Sequence, residues 1–171
     1  IETYRSEKPG INDQDLPPFV IGESGRPVGP IASGAVVIAY NFRGVLPGGH
    51  SKNLFLEDRA GKLFLVVARE ELRLDLNALA KALARPRFSF GKPDLLAATL
   101  GITPGAVTPF ALMNDGRGLV TPVFDEGLLA ADPVNFHPLR NDRTTAISPA
   151  GLIAFVRACG HEPLIIKLPE R

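Results

Sequence analysis

Residues 54–68 constrain this chain most. Leu54-Phe55-Leu56 and Lys62-Leu63-Phe64-Leu65-Val66-Val67-Ala68 are apolar runs of strand length, separated by Glu57-Asp58-Arg59-Ala60-Gly61. Two such runs joined by a short polar turn predict a β-hairpin. Just ahead stands Pro47-Gly48-Gly49-His50-Ser51-Lys52-Asn53. Gly48 and Gly49 can take positive φ at no steric cost, so the backbone can bend sharply or admit a ligand closely. Lys52 is therefore expected where a loop enters the sheet, its stem buried and its ammonium free. That arrangement suits a phosphate or carboxylate. A solvated lysine in a β-turn would read the same way.

The stretch is not a phosphate-binding P-loop. Gly44 and Gly49 have the right spacing, but His50 stands where the motif needs Lys, and a strand follows where it needs a helix N-terminus. Nucleotide hydrolysis is thereby excluded.

The remaining chain alternates short elements. Residues 1–34 mix Pro9, Pro17, Pro18, Pro27 and Pro30 with five glycines and read as an irregular arm. Ala35–Tyr40 is a candidate strand. Asp75 is placed to cap a helix over 76–84, whose Leu76, Leu79, Ala80 and Leu83 share a face. Arg87–Phe90 is a short strand. Pro93 opens a helix that Gly101 closes. Phe110–Met113 and Leu119–Phe124 flank Asn114-Asp115-Gly116 and predict a second hairpin. Asp125 caps a short helix, Val134–His137 and Thr144–Ile147 form a strand pair, Ser148-Pro149 opens a last helix that Gly160 ends, and Leu164–Ile166 is a final strand. Strands outnumber helices and many neighbours look like hairpins. The expected fold is α+β, with a mixed, largely antiparallel sheet.

The length of 171 residues suits one domain with one sizeable core. A net charge of +1 supplies no global field for nucleic acid, so any RNA contact must be local. The single cysteine, Cys159, precludes an intrachain disulfide and a cysteine metal cluster. No apolar run approaches a membrane span, and the N-terminus shows no signal pattern, so a cytoplasmic protein with no membrane partner is expected.

No nucleophile stands out. Ser89-Phe90-Gly91-Lys92 matches Ser-x-x-Lys without the helix that pattern requires. Cys159 reads as a small core residue. His50, His137 and His161 show no metal-ligand spacing, and His161, after Gly160, is expected to be exposed. Pro138 forces His137 into an extended conformation, which suits a structural histidine as well as a site residue. Gly105-Ala106-Val107-Thr108-Pro109, with Pro104 before it, is a stiff loop that can offer fixed backbone groups to a ligand or simply connect a helix to a strand. An enzyme built this way works by positioning and electrostatics.

Three motifs in order carry a resemblance: Pro47 to Leu56, Gly-x-x-x-Pro at 105–109, and Asp132-Pro133-Val134-Asn135-Phe136-His137-Pro138-Leu139-Arg140-Asn141-Asp142, followed by Thr144 to Ser148. Together they resemble the YbaK and prolyl-tRNA-synthetase-associated editing family, within it the free-standing PrdX (ProX) type of prolyl-tRNA deacylase. The likeness runs from about Gly44 to Leu168. It divides the chain into an irregular segment 1–44, unlike the family, and a deacylase domain 45–171. It implies a barrel-like sheet with flanking helices. It also implies hydrolysis of the ester that joins a wrong amino acid, typically alanine, to tRNA for proline. Lys52 would hold the tRNA 3′ end or the ester, with Asn53 in support. Gly105 would present backbone groups to the aminoacyl moiety, Pro109 would shape that loop, and Asn135 and His137 would line the pocket. The partner would be the acceptor end of a mischarged tRNA, not DNA, with no cofactor and no metal. A non-catalytic RNA-binding module on the same fold, or a deacylase for another amino acid such as cysteine, would share these motifs.

Overall fold

A computed structural model describes residues 37–40, 47–140 and 143–171. The expectations for 1–34 and for Gly44 lie outside these residues. The hairpin at its centre is as the apolar runs require. β2 (Gly49–Asp58) pairs antiparallel with β3 (Leu63–Arg69), in register from Ser51 opposite Arg69 to Glu57 opposite Leu63. Asp58 closes the turn. Its Oδ1 accepts the Ala60 and Lys62 N–H groups at 2.8 and 3.0 Å. Its Oδ2 lies 2.7 Å from Arg85 Nε.

β2 is longer than predicted and begins at Gly49, so Lys52 lies within the strand and not at its mouth. This length lets one strand serve three partners. β6 (Val134–Phe136) joins its start in parallel, and β4 (Phe88–Phe90) joins its end antiparallel, both on the edge away from β3. The sheet continues from β6 through β7 (Arg143–Ile147) to β1 (Val37–Tyr40), both antiparallel. On the other side, β3 is followed by β5 (Val120–Asp125) and β8 (Leu164–Ile166), both parallel. Four antiparallel and three parallel pairings make a mixed α+β sheet, antiparallel in majority.

The two faces of this sheet carry separate cores. Phe55, Leu65 and Val67 face a core closed by α2 (Pro93–Leu100), α3 (Glu126–Leu129) and α4 (Pro149–Ala158). Leu56, Phe64, Val66 and Ala68 face one closed by α1 (Leu76–Ala82) and Leu168. That alternation is the period-two consequence of a strand buried on both sides. The caps are those anticipated. Asp75 accepts from Asn77 and Ala78 N–H, Asp125 from Gly127 N–H, and Ser148 from Gly151 N–H.

Two further expectations are corrected. Phe110–Met113 is not a strand but the middle of a 3-10 helix, Pro109–Asn114. Pro109 cannot donate to a ladder, and the Thr108 hydroxyl takes the Phe110 N–H instead. The segment is apolar because Phe110 sits between sheet and helix, edge-on to Phe136 at 6.0 Å and to Phe155 at 5.4 Å. With that strand gone, β5 has no hairpin partner and pairs with β3 and β8. His161 is buried, not exposed: its Nδ1 lies 3.1 Å from the Val120 carbonyl oxygen, and its Nε2 faces Asp115 Oδ2 at 3.7 Å. The chain turns back under α4 after Gly160, and this carries the imidazole into the core.

Candidate functional site

The glycine turn that opens β2 is built against the β6 side of the sheet. Gly48 has φ +100°, and a Cβ there would collide with the Pro133 carbonyl oxygen. Only glycine allows this approach. Gly49 N–H then donates to the Pro133 carbonyl at 2.9 Å. Asn135 completes the clamp. It is buried, and its amide donates to the Pro47 and Gly49 carbonyls at 3.1 and 3.2 Å. Ser51 Oγ donates to the Asn135 backbone carbonyl at 2.9 Å. Asn135 Oδ1 is buried without a partner among the described residues.

This clamp forms one wall of a small polar cleft lined by His50, Ser51, Glu70, Asn135, Phe136, His137 and Thr144. His50 and Asn135 are register partners and so project to the same side. Val134 and Phe136 point into the first core, which leaves Asn135 and His137 on the opposite side. Lys52, two residues from His50, shares that side. Its Nζ donates to the Leu72 carbonyl, in the turn that follows β3. Lys52, Asn135 and His137 are therefore brought to one face of the sheet.

Asn53 is not with them. Its amide donates to the Val107 carbonyl at 3.0 Å, on the face of the first core, and its Oδ1 is buried without a partner among the described residues. Through this bond β2 holds the 105–109 loop. Gly105 is the exposed third residue of a turn closed by Ala106 N–H to Thr103 carbonyl at 3.1 Å. Its φ of +89°, after Pro104, is the backbone a type II turn demands. Pro109 is buried at the start of the 3-10 helix.

Arg69 stands opposite Ser51 in register, its Nε 2.7 Å from the buried Asp125 carboxylate. That hydrogen bond raises the pKa of the guanidinium above its ordinary value. The Thr144 to Ser148 motif contributes Thr144, but the motifs had not signalled Glu70 or Arg69. Strand register brings Glu70, just after β3, to the cleft beside residues of β2, β6 and β7, whereas Arg69 projects to the face of the first core. Ser51 directs its hydroxyl at a backbone carbonyl, not at an imidazole. Burial pushes the half-buried Cys159 thiol up, away from the thiolate a nucleophile needs. No group of three or more His, Cys, Asp or Glu among the described residues could hold a metal ion. No helix among them is long and apolar enough to cross a membrane. The arrangement can anchor an anionic or ester group and position a water between polar walls.

The family model for the aminoacyl-tRNA editing domain matches residues 35–155. The prolyl-tRNA synthetase associated domain-containing protein 1 of Danio rerio is 36% identical over 123 residues, 71% of this chain and 67% of that protein. The prolyl-tRNA editing protein ProX of Acetoanaerobium sticklandii is 37% identical over 118 residues, 68% of this chain and 72% of that protein. A crystal structure described as a candidate trans-editing enzyme for prolyl-tRNA synthetase superposes with a TM-score of 0.64 at 18% identity, covering 80% of this chain and 87% of that one. This last likeness speaks for the fold. A stretch of 59 residues is also 52% identical to a 2,3-bisphosphoglycerate-independent phosphoglycerate mutase of Arabidopsis thaliana. It amounts to 10% of that enzyme, too little to bring the mutase's activity with it.

Proposed function

This chain belongs to the aminoacyl-tRNA editing domain family, and on that premise we propose that it hydrolyses the ester of mischarged tRNA for proline, with alanyl-tRNA(Pro) as its substrate. The observation that carries the reading is the family match together with a polar cleft at the family motifs, lined by Asn135 and His137, with Lys52 on the same face of the sheet and no activated nucleophile nearby among the described residues.

In this reading Lys52 leaves the Leu72 carbonyl to meet the terminal phosphate or the ester carbonyl, where its charge stabilises the oxygen that becomes negative in the transition state. His137 and Asn135 line the pocket and position the attacking water. Asn135 also keeps the glycine turn in shape. Asn53 holds the 105–109 loop, whose Gly105 backbone and Pro109 frame the aminoacyl side. Water adds to the ester carbonyl and the bond to the ribose oxygen breaks. The proton lost by water ends on that oxygen, releasing free alanine and tRNA with its terminal hydroxyl restored. A small pocket rejects proline on size. A synthetase pocket cannot reject the smaller alanine with equal force, because each missing methylene is worth only about 1–3 kcal/mol. A second, hydrolytic sieve answers that asymmetry.

The test is loss of the aminoacyl ester from alanyl-tRNA(Pro) beside prolyl-tRNA(Pro). Loss of alanine with proline spared supports the reading. Loss from cysteinyl-tRNA(Pro) alone changes the amino acid and keeps the reaction. No loss from any of them, with tRNA still bound, makes the protein a binding module.

A further inference from the structure

A second feature lies at the far end of β2. β4, the β2–β3 turn and the start of α1 enclose an open groove lined by Arg59, Leu76, Arg87, Phe88, Ser89 and Phe90. The two phenylalanines of β4 are used differently. Phe88 is 4% exposed and lies edge-on to Phe64 at 5.0 Å. Phe90 is 65% exposed, the highest figure among the described large apolar side chains. A lone exposed phenylalanine says little. Its neighbours decide the matter. Arg59 and Arg87 are exposed and have no ion-pair partner among the described residues. No carboxylate among the described residues lines the groove. Asp58 is engaged by Arg85, whose Nη2 lies 2.6 Å away. Glu57, opposite Ser89 in register, is not among the residues that line the groove. Two available guanidinium groups beside an open aromatic ring, with no acid among them, form a surface for a chain of phosphates with stackable faces.

We infer that this groove holds an unpaired nucleotide of the tRNA acceptor end, upstream of the terminal adenosine, with its base stacked on Phe90 and its phosphates met by Arg59 and Arg87. The inference rests on the editing reading for the identity of the RNA. The distance fits. From Lys52 to Asp58 β2 rises six residues, about 20 Å at ~3.3 Å each. A fully stacked strand, at about 3.4 Å per nucleotide, would need about six nucleotides to cover this span, so the short unpaired end reaches the groove extended and not stacked on itself. Aromatic stacking serves any base whose neighbours have left it, which suits the single-stranded end and not the duplex.

The test titrates labelled, uncharged tRNA(Pro), and the same RNA trimmed of its unpaired 3′ nucleotides, with wild type, Phe90→Ala, Phe90→Tyr and the Arg59→Gln/Arg87→Gln double variant. The expected result is about tenfold weaker binding of intact tRNA by Phe90→Ala, wild-type binding by Phe90→Tyr, and no difference among the Phe90 proteins on trimmed RNA. The double variant is expected to flatten the dependence of log affinity on log salt by about 1.5. Equal binding of intact tRNA by wild type and Phe90→Ala, or an equal loss on trimmed RNA, overturns the inference. The deacylation assay reads separately. Hydrolysis that persists while binding ignores Phe90 removes the groove and keeps the editing reading. Phe90-dependent binding without hydrolysis of any mischarged tRNA(Pro) does the reverse.

Discussion

Lys52 and Asn53 are neighbours on β2 and address opposite faces of the sheet. The Lys52 ammonium reaches the Leu72 carbonyl, and the Asn53 amide reaches the Val107 carbonyl. One strand thus ties the turn after β3, on one side, to the Gly105–Pro109 loop, on the other. Substitutions at these two positions should therefore fail in different ways.

Lys52→Met keeps the apolar stem and removes the charge. Hydrolysis of alanyl-tRNA(Pro) is expected to fall about 100-fold or more, the scale of losing one transition-state donor. The thermal midpoint should stay within a few degrees of wild type. Rates near wild type in a folded Lys52→Met protein would remove the lysine from the site.

Asn53→Ala removes the tie to the loop. The Val107 carbonyl then loses its donor, at a cost of about 1–2 kcal/mol in urea unfolding. The loop is expected to loosen, so KM should rise more than kcat falls. A fall in kcat at unchanged KM would show that Asn53 acts on the transition state itself.

Asn135→Asp preserves shape and reverses chemistry. A carboxylate cannot donate to the Pro47 and Gly49 carbonyls, and it would be buried against them. The expected loss is about 2–4 kcal/mol at pH 7. Burial beside carbonyl oxygens raises a carboxyl pKa. The penalty is therefore present above that raised pKa and relieved as pH falls through it, when the protonated acid can donate once more. Stability of Asn135→Asp relative to wild type should improve on acidification. A deficit independent of pH would mean that the clamp is not what the asparagine supplies.

The local features of this fold were legible because each has a local cause. Asp75, Pro93, Asp125 and Ser148 sit where a helix needs its first donors satisfied or removed, and the hairpin follows from two apolar runs about a turn. What escaped depends on contacts distant in sequence. Phe110-Ala111-Leu112-Met113 is apolar as a strand would be, and its apolar side chains serve packing against Phe136 and Phe155 in a 3-10 helix. Thr108-Pro109 did signal that start, and the apolar run outweighed it. His161 follows a helix-ending glycine, and nothing nearby announces Val120, 41 residues away, as its partner. The cleft was legible as motifs and not as geometry. The separation of Lys52 from Asn53 follows from period two once β2 is known to begin at Gly49. Reading the segment as a loop hid it.

The last prediction concerns the hairpin that carries the site. Asp58 is buried, which works against its charge. The Lys62 and Ala60 N–H groups and the Arg85 guanidinium outweigh that cost and hold its pKa below the ordinary aspartate value. A carboxyl whose folded pKa is depressed contributes stability that is fully present above its unfolded pKa, near 4, and lost as pH falls through the lower folded value. Asp58→Asn removes the charge, leaves Arg85 without its partner and keeps one acceptor oxygen for the turn. Its expected cost is about 2–4 kcal/mol at pH 7. Because wild type surrenders the same interaction on protonation, the gap between the two proteins should narrow below about pH 4. Urea unfolding of both at pH 7, 4 and 3 measures it. A gap that stays constant to pH 3 would show that Asp58 stabilises the hairpin by shape alone, with its charge irrelevant.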